Sequence, residues 1–217
     1  MGKYDTVIFD LDGTLLNTIE DLTDSVNFAL GLYGFPHKSL EEIRSFVGNG
    51  ATRLIELSIP DGTSNPMYKK CFIDFRNHYS INMRNKTDAY EGIMELLRQL
   101  LEKKYKMAIV SNKFDTAVKE LNKIYFEKYI KAAIGESEKV SKKPAPDTVF
   151  KALEELGSVT DKSVYVGDSE VDVKTAKNAG VICVGVTWGF RNRKVLEQNG
   201  ADYIIDTPQE LLKIITV

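Results

Sequence analysis

Asp10 and Asp12 stand one residue apart at the end of the apolar run Val7-Ile8-Phe9, and Gly13-Thr14 follows at once. Such a run of β-branched and aromatic residues reads as a strand buried on both faces, as in a parallel sheet. In open α/β sheets ligands bind outside the carboxyl ends of the strands, so this strand delivers two acids to the place where chemistry is expected. An acid at the strand end and one in the turn can divide the work, one as nucleophile and the other moving protons. Further polar groups follow later segments: Ser111-Asn112 after Met107-Ala108-Ile109-Val110, and Gly167-Asp168-Ser169 after Val164-Tyr165-Val166. A fourth group, Lys142-Lys143-Pro144-Ala145-Pro146-Asp147, uses prolines to fix an extended approach that positions a lysine, with Asp147 expected to cap the next helix.

Asp10, Asp12, Asp168 and Asp172 gathered at one sheet edge would raise one another's pKa values or resist burial unless compensated. Asp168 and Asp172 are four apart at a helix start, so both can face one direction. A hard divalent cation resolves the crowding, and oxygen ligands without histidine or cysteine favour Mg²⁺. Ser111 and Lys143 then read as phosphate partners, and the backbone N–H groups of Gly13 and Thr14 as a nest for phosphoryl oxygens. The reaction that suits these groups is phosphoryl transfer. Asp10 attacks phosphorus to form an aspartyl-phosphate, Lys143 and the metal neutralise the equatorial oxygens, and Asp12 protonates the leaving alcohol and then deprotonates water.

The elements that must position these groups alternate strand and helix from residue 93 onward, the signature of a doubly wound parallel sheet. Between the first strand and the next, at 106–111, lies far more chain than a parallel crossover needs, so a domain is inserted there. Its pattern is helical. Leu22, Val26, Ala29, Leu30 and Tyr33 recur at helical spacing until Gly34-Phe35-Pro36. Ser39 and Glu42 form a capping-box pattern for a second helix, which Gly48-Asn49-Gly50 ends. A third passes through Arg53 and Leu57 to Pro60-Asp61-Gly62. Asn65-Pro66 opens a fourth as cap and first helical position, carrying Tyr68, Cys71, Phe72, Phe75 and Tyr79 inward. The expected fold is an α/β, Rossmann-like doubly wound parallel sheet, residues 1–16 and 85–217, with an inserted all-α four-helix cap, residues 17–84. Attachment at two points permits hinge closure.

Asp10-Leu11-Asp12-Gly13-Thr14, Ser111-Asn112, Lys143-Pro144 and Gly167-Asp168-Ser169-Glu170-Val171-Asp172, in this order, resemble the four motifs of the haloacid dehalogenase superfamily of phosphohydrolases, and the likeness runs the length of the chain. The resemblance implies Asp10 as nucleophile, Asp12 as acid/base and as metal ligand through its backbone carbonyl, and Asp168 as Mg²⁺ ligand with Asp172 supporting the metal shell. It also implies Ser111 and Lys143 as catalytic, and Gly13, Thr14 and Asn112 at the substrate. The helical insert is similar to a C1-type cap. Phe46-Val47-Gly48-Asn49-Gly50 and Gly185-Val186-Thr187-Trp188-Gly189-Phe190 resemble loops of phosphoglycolate phosphatases, which makes Arg53, just past the first, a reader of the leaving group. Asn17 departs from relatives that carry aspartate there.

Composition narrows the partners. A chain of 217 residues with formal charge −2 has no basic excess to bind nucleic acid or an anionic membrane surface. A small phosphorylated metabolite fits better, acted on by a monomer or homodimer. Cys71 and Cys183 form no metal-spaced cluster and read as reduced, packed thiols. No apolar run reaches the roughly 18 residues of a membrane span, and the start lacks a basic region leading into an apolar stretch, so a cytoplasmic protein is expected. Met1-Gly2-Lys3-Tyr4-Asp5-Thr6 matches a myristoylation pattern and Asn85-Lys86-Thr87 a glycosylation acceptor. Both are set aside, the first because strand follows almost directly, the second for want of a secretory leader. His37 and His78 are expected at the surface, and Trp188 packing a loop.

The substrate expected is 2-phosphoglycolate. A pyrophosphatase, a nucleotide or sugar phosphatase, or a β-phosphoglucomutase-like mutase shares every motif. A noncatalytic phospho-receiver stays as the reading from another class, although receivers place the acid pair and the phosphate acceptor on different strands.

Overall fold

The structure is a computed structural model that describes residues 3–216, so the myristoylation pattern at Gly2 lies outside the described residues. Two compact units divide it: Met1–Leu16 together with Ala89–Val217, and Asn17–Asp88. The strands are β1 (Thr6–Phe9), β2 (Leu16–Asn17), β3 (Asp88–Ala89), β4 (Lys106–Phe114), β5 (Ala132–Glu136), β6 (Ser163–Gly167), β7 (Ile182–Val186) and β8 (Tyr203–Ile205). β2 and β3, where the chain passes from one unit to the other and back, pair with each other.

In the first unit six strands form one sheet in the order β5-β4-β1-β6-β7-β8, and their described pairings are parallel. β1 is central and buried throughout, with Ile8 in register between Ala108 and Tyr165. That position explains its unbroken apolar run, since both neighbours and both faces exclude water. From β1 the chain proceeds outward to β4 and β5, then returns to β6 on the opposite side. This reversal is the topological switch point, and it sets the carboxyl ends of β4, β1 and β6 side by side.

β4 runs to Phe114, past the expected end at Ser111, with a register shift against β5 between Val110 and Phe114. Such irregularities re-aim side chains next to functional sites, and here the displaced stretch is Ser111-Asn112-Lys113. The helix expected from Asp147 spans Asp147–Leu156, but Pro146 holds the cap position and Asp147 is its first helical residue without a side-chain cap bond. Asp147 therefore contributes a negative charge in the first turn instead of a cap.

The second unit contains α1 (Ile19–Gly31), α2 (Leu40–Phe46), α3 (Ala51–Ser58) and α4 (Tyr68–Asn82). Leu22, Val26, Ala29 and Leu30 of α1 are buried, as are Cys71, Phe75 and Tyr79 of α4, whereas Tyr68 and Phe72 are only half-buried. The Ser39 capping box is complete: the Glu42 N–H donates to Ser39 Oγ and the Glu42 carboxylate accepts from the Ser39 N–H. α4 starts later than Asn65-Pro66 announces. Asn65 Oδ1 accepts from the Met67 N–H at 2.8 Å, so this asparagine closes a turn ahead of the helix. Asp21 of α1 is buried and accepts from the Lys86 and Thr87 N–H groups and the Thr87 hydroxyl. It joins the two ends of the insert, and it takes up the hydroxyl of the glycosylation pattern. His37 is exposed as expected, while His78 is half-buried, stacked on Phe28 and bonded to Ser25 Oγ. No described helix is long and apolar enough to cross a membrane.

Candidate active site

Asp10 follows β1 directly, and its N–H donates to Val166 O of β6, which extends the ladder by one residue and fixes where the carboxylate emerges. Asp168 stands just past the end of β6. Ser169 caps the helix Glu170–Ala179, and Asp172, in the third helical position, completes a capping box with it. Carboxylate oxygens of Asp10, Asp168 and Asp172 all lie within 4.8 Å of one another, and all three residues are buried.

Lys143 organises the group. Its Nζ donates to Asp10 Oδ1 at 2.7 Å and Asp172 Oδ1 at 2.8 Å, and lies 3.1 Å from Tyr165 Oη. Its backbone is held by Asn112, whose Oδ1 accepts from the Lys143 N–H at 2.8 Å while its Nδ2 donates to the Lys143 carbonyl at 2.9 Å. Asn112, expected at the substrate, thus points its amide at the lysine loop. The Lys143–Pro144 peptide in that loop is cis.

The four acceptor positions of Asp172 are filled. Oδ1 accepts from Lys143 and Tyr165, and Oδ2 from the Ser169 N–H and hydroxyl. Asp12 pairs with a second lysine: Lys113 Nζ donates to its Oδ1 at 2.8 Å and its Oδ2 at 3.0 Å. Ser111 is buried beside it, its Oγ accepting from the Lys113 N–H.

The turn after Asp12 differs from expectation. The Gly13 N–H donates to Leu16 O and the Thr14 N–H to Leu11 O. Both are committed to folding the turn, so they do not form a nest for phosphoryl oxygens; a nest needs its N–H groups directed outward. The glycine serves another need. Gly13 has φ +89°, and a Cβ there would collide with the Asp168 carboxylate. A Cβ on Gly167 would strike Asp172 and one on Gly189 would strike Asp168, so glycines clear the space around both acids. Thr14 is buried, with its hydroxyl 3.5 Å from Asp168 Oδ1, and its carbonyl accepts from Trp188 Nε1 at 3.0 Å. Trp188 therefore ties the loop after β7 to the aspartate turn, and the neighbouring Phe190 N–H donates to Asp168 Oδ2.

Charge bookkeeping at this site favours a dication. Four carboxylates, those of Asp10, Asp12, Asp168 and Asp172, face the two buried ammonium groups of Lys113 and Lys143, which leaves two negative charges in excess. Burial, then Asp172, pushes Asp10 up to about 7 despite Lys143. Burial, followed by Asp172 and Asp10, likewise holds Asp168 well above the usual carboxylate range. Burial also acts on Asp172, but Lys143, Ser169 and Tyr165 bring it below that range. Asp10 and Asp168 are therefore the carboxylates least able to hold their charge without a further cation. An all-oxygen donor set with that excess fits Mg²⁺, held by one or two carboxylates and completed by water and substrate.

Arg53 belongs to the helical unit, where it forms a half-exposed ion pair with Glu56 at 2.8 Å. Lys113, Tyr165 and the Phe190 N–H were not foreseen. The one available signal was Lys113 itself, a charge beside Ser111-Asn112 at the end of an apolar strand.

Residues 7–186 match the haloacid dehalogenase-like hydrolase family, and the chain belongs to it. Within that family it is an enzyme of the phosphatase kind. It is 31% identical over 212 residues to the phosphoglycolate phosphatase of Pseudomonas putida, covering 95% of this chain and 78% of that one. It is 30% identical over 220 residues to the pyrophosphatase PpaX of Listeria welshimeri, covering 99% and 97%. A crystal structure from Lactobacillus delbrueckii subsp. bulgaricus, provisionally called a phosphoglycolate phosphatase, superposes with a TM-score of 0.93 at 33% identity and covers 99% of each chain.

Proposed function

We propose that this enzyme hydrolyses a small phosphate monoester, 2-phosphoglycolate in the first place, through an aspartyl-phosphate on Asp10. The observation that carries the reading is the position of Lys143, which holds Asp10 by Oδ1 and leaves Oδ2 for attack. Asp10 Oδ2 forms a bond to phosphorus as the P–O bond to the leaving alcohol breaks, and Asp12 gives that alcohol its proton. Water then attacks the phosphorus, returning a proton to Asp12 and releasing phosphate and free Asp10. Lys143 and Ser111 bear on the transferring oxygens, and Asp172 holds Lys143 in place. Asp10, Asp168 and the Asp12 carbonyl would hold Mg²⁺, whose charge supplies electrostatic stabilisation of the transition state.

The substrate name rests on the relatives and on the cap and late-strand loops that resemble theirs. Arg53 is the cap residue assigned to the leaving group; its exposed pair with Glu56 is of a weak kind, readily exchanged for another anion. The likeness to a pyrophosphatase over nearly the whole of both chains favours pyrophosphate as the second reading. Two buried free thiols support the expected cytoplasmic setting. The test is phosphate release from 2-phosphoglycolate, pyrophosphate, nucleotides and sugar phosphates, with Mg²⁺ and with EDTA. We expect Mg²⁺-dependent release fastest from 2-phosphoglycolate. Preference for pyrophosphate would keep the mechanism and replace the substrate, while no release from any compound would return the protein to phosphate binding without turnover.

A further inference from the structure

Lys113 stands on the displaced end of β4, where the strand has lost register with β5. Its side chain is 5% exposed, and a buried ammonium group is strongly destabilising unless it is paired and hydrogen-bonded. The pairing is with both oxygens of Asp12, at 2.8 and 3.0 Å, while the Lys113 N–H is tied to Ser111 Oγ at 3.2 Å. Backbone and side chain of Lys113 are thus both anchored, and the Asp12 carboxylate plane is fixed by two bonds instead of rotating in its turn. Proton transfer demands such fixing, because a misplaced acid loses most of its advantage.

We propose that Lys113 is a positioning residue that aims the Asp12 carboxylate at the leaving-group oxygen. This rests on the reading of Asp12 as acid/base given above. It separates the two buried lysines by role: Lys143 serves the nucleophile and the phosphoryl group, Lys113 the proton donor. A lysine acting through Asp12 matters only where the leaving group needs a proton. p-Nitrophenolate departs without one; the alcohol of an alkyl monoester does not.

The test is the first-turnover rate of phosphoryl transfer from p-nitrophenyl phosphate and from 2-phosphoglycolate, or the alkyl monoester that the substrate panel favours. The proteins are wild type, Lys113→Met, Asp12→Asn and the double variant. Lys113→Met is expected to slow transfer from the alkyl monoester roughly 10–100-fold and to leave p-nitrophenyl phosphate within about threefold of wild type. Adding Lys113→Met to Asp12→Asn should change the rate by less than about twofold, because both substitutions remove one interaction. Equal losses on the two substrates, or losses that multiply in the double variant, overturn the proposal and leave the acid/base reading of Asp12 standing. If Asp12→Asn itself treats both leaving groups alike, that reading falls and the proposal with it. Should Lys113→Met not fold, Lys113→Gln, which keeps one donor for Asp12, should show the same selective loss at smaller size; an unselective loss counts against the proposal.

Discussion

A carboxylate's role is set by which of its oxygens are already taken. Asp10 offers one oxygen to Lys143 and keeps the other, Asp12 gives both to Lys113, and Asp172 has four donors on its two. On the proposed mechanism, identical residue types in one cluster are thereby given the parts of nucleophile, proton carrier and scaffold. Asp172→Asn tests the scaffold role. The amide cannot accept at the position it turns to an NH₂ group, so either Lys143 or Ser169 loses its partner. The variant should lose at least tenfold in kcat, in line with the loss of a positioned catalytic group, with little change in KM. Its stability should fall by about 2 kcal/mol, the worth of a hydrogen bond to a buried charge, read as a shift in denaturant midpoint. Unchanged stability would mean that the buried Lys143 does not depend on Asp172.

The elements were legible where one residue's chemistry decides them locally. Ser39 and Glu42 announce a capping box and form one, and the buried run before Asp10 becomes the central strand. Asn65-Pro66 misled because asparagine closes a turn as readily as it caps a helix, and only the approach of the Met67 N–H decided between them. Asp10 and Asp168 were readable as neighbours because their motifs end the adjacent strands β1 and β6, and Lys143 reaches Asp10 from the loop ahead of Asp147. Lys113 was not readable, since a register shift depends on pairing with β5, which no local pattern encodes. The Gly13 and Thr14 N–H groups were misassigned for a similar reason: their acceptors, the carbonyls of Leu16 and Leu11, become neighbours only once the turn closes. In the sequence Asp21 is one more acid on an amphipathic helix. Its carboxylate takes two backbone N–H groups 65 and 66 residues away. Asp21→Ala strips these buried donors of their acceptor and should destabilise the helical unit by about 2–3 kcal/mol, with faster amide exchange at Lys86 and Thr87. Protected amides in the variant would show that the chain return is held by other contacts.

For the molecule as a whole, two units are threaded by one chain that crosses between them at Leu16–Asn17 and Asp88–Ala89. The first unit carries the complete set of core motifs at one edge of its sheet, and the second carries the loop and the arginine assigned to specificity. On the proposed reading the chemistry belongs to the first unit and the choice of substrate to the second. Under either substrate reading the proposed chemistry is the same, a covalent phosphoenzyme on Asp10. The most direct measurement is acid quenching of the enzyme during turnover with Mg²⁺ and substrate, followed by borohydride trapping and mass spectrometry of the peptide that contains residues 7–14. The modification is expected at Asp10 in wild type, with the Asp10→Asn variant folded, inactive and unmodified. Label at any other residue, or turnover by Asp10→Asn at a tenth of the wild-type rate, contradicts it.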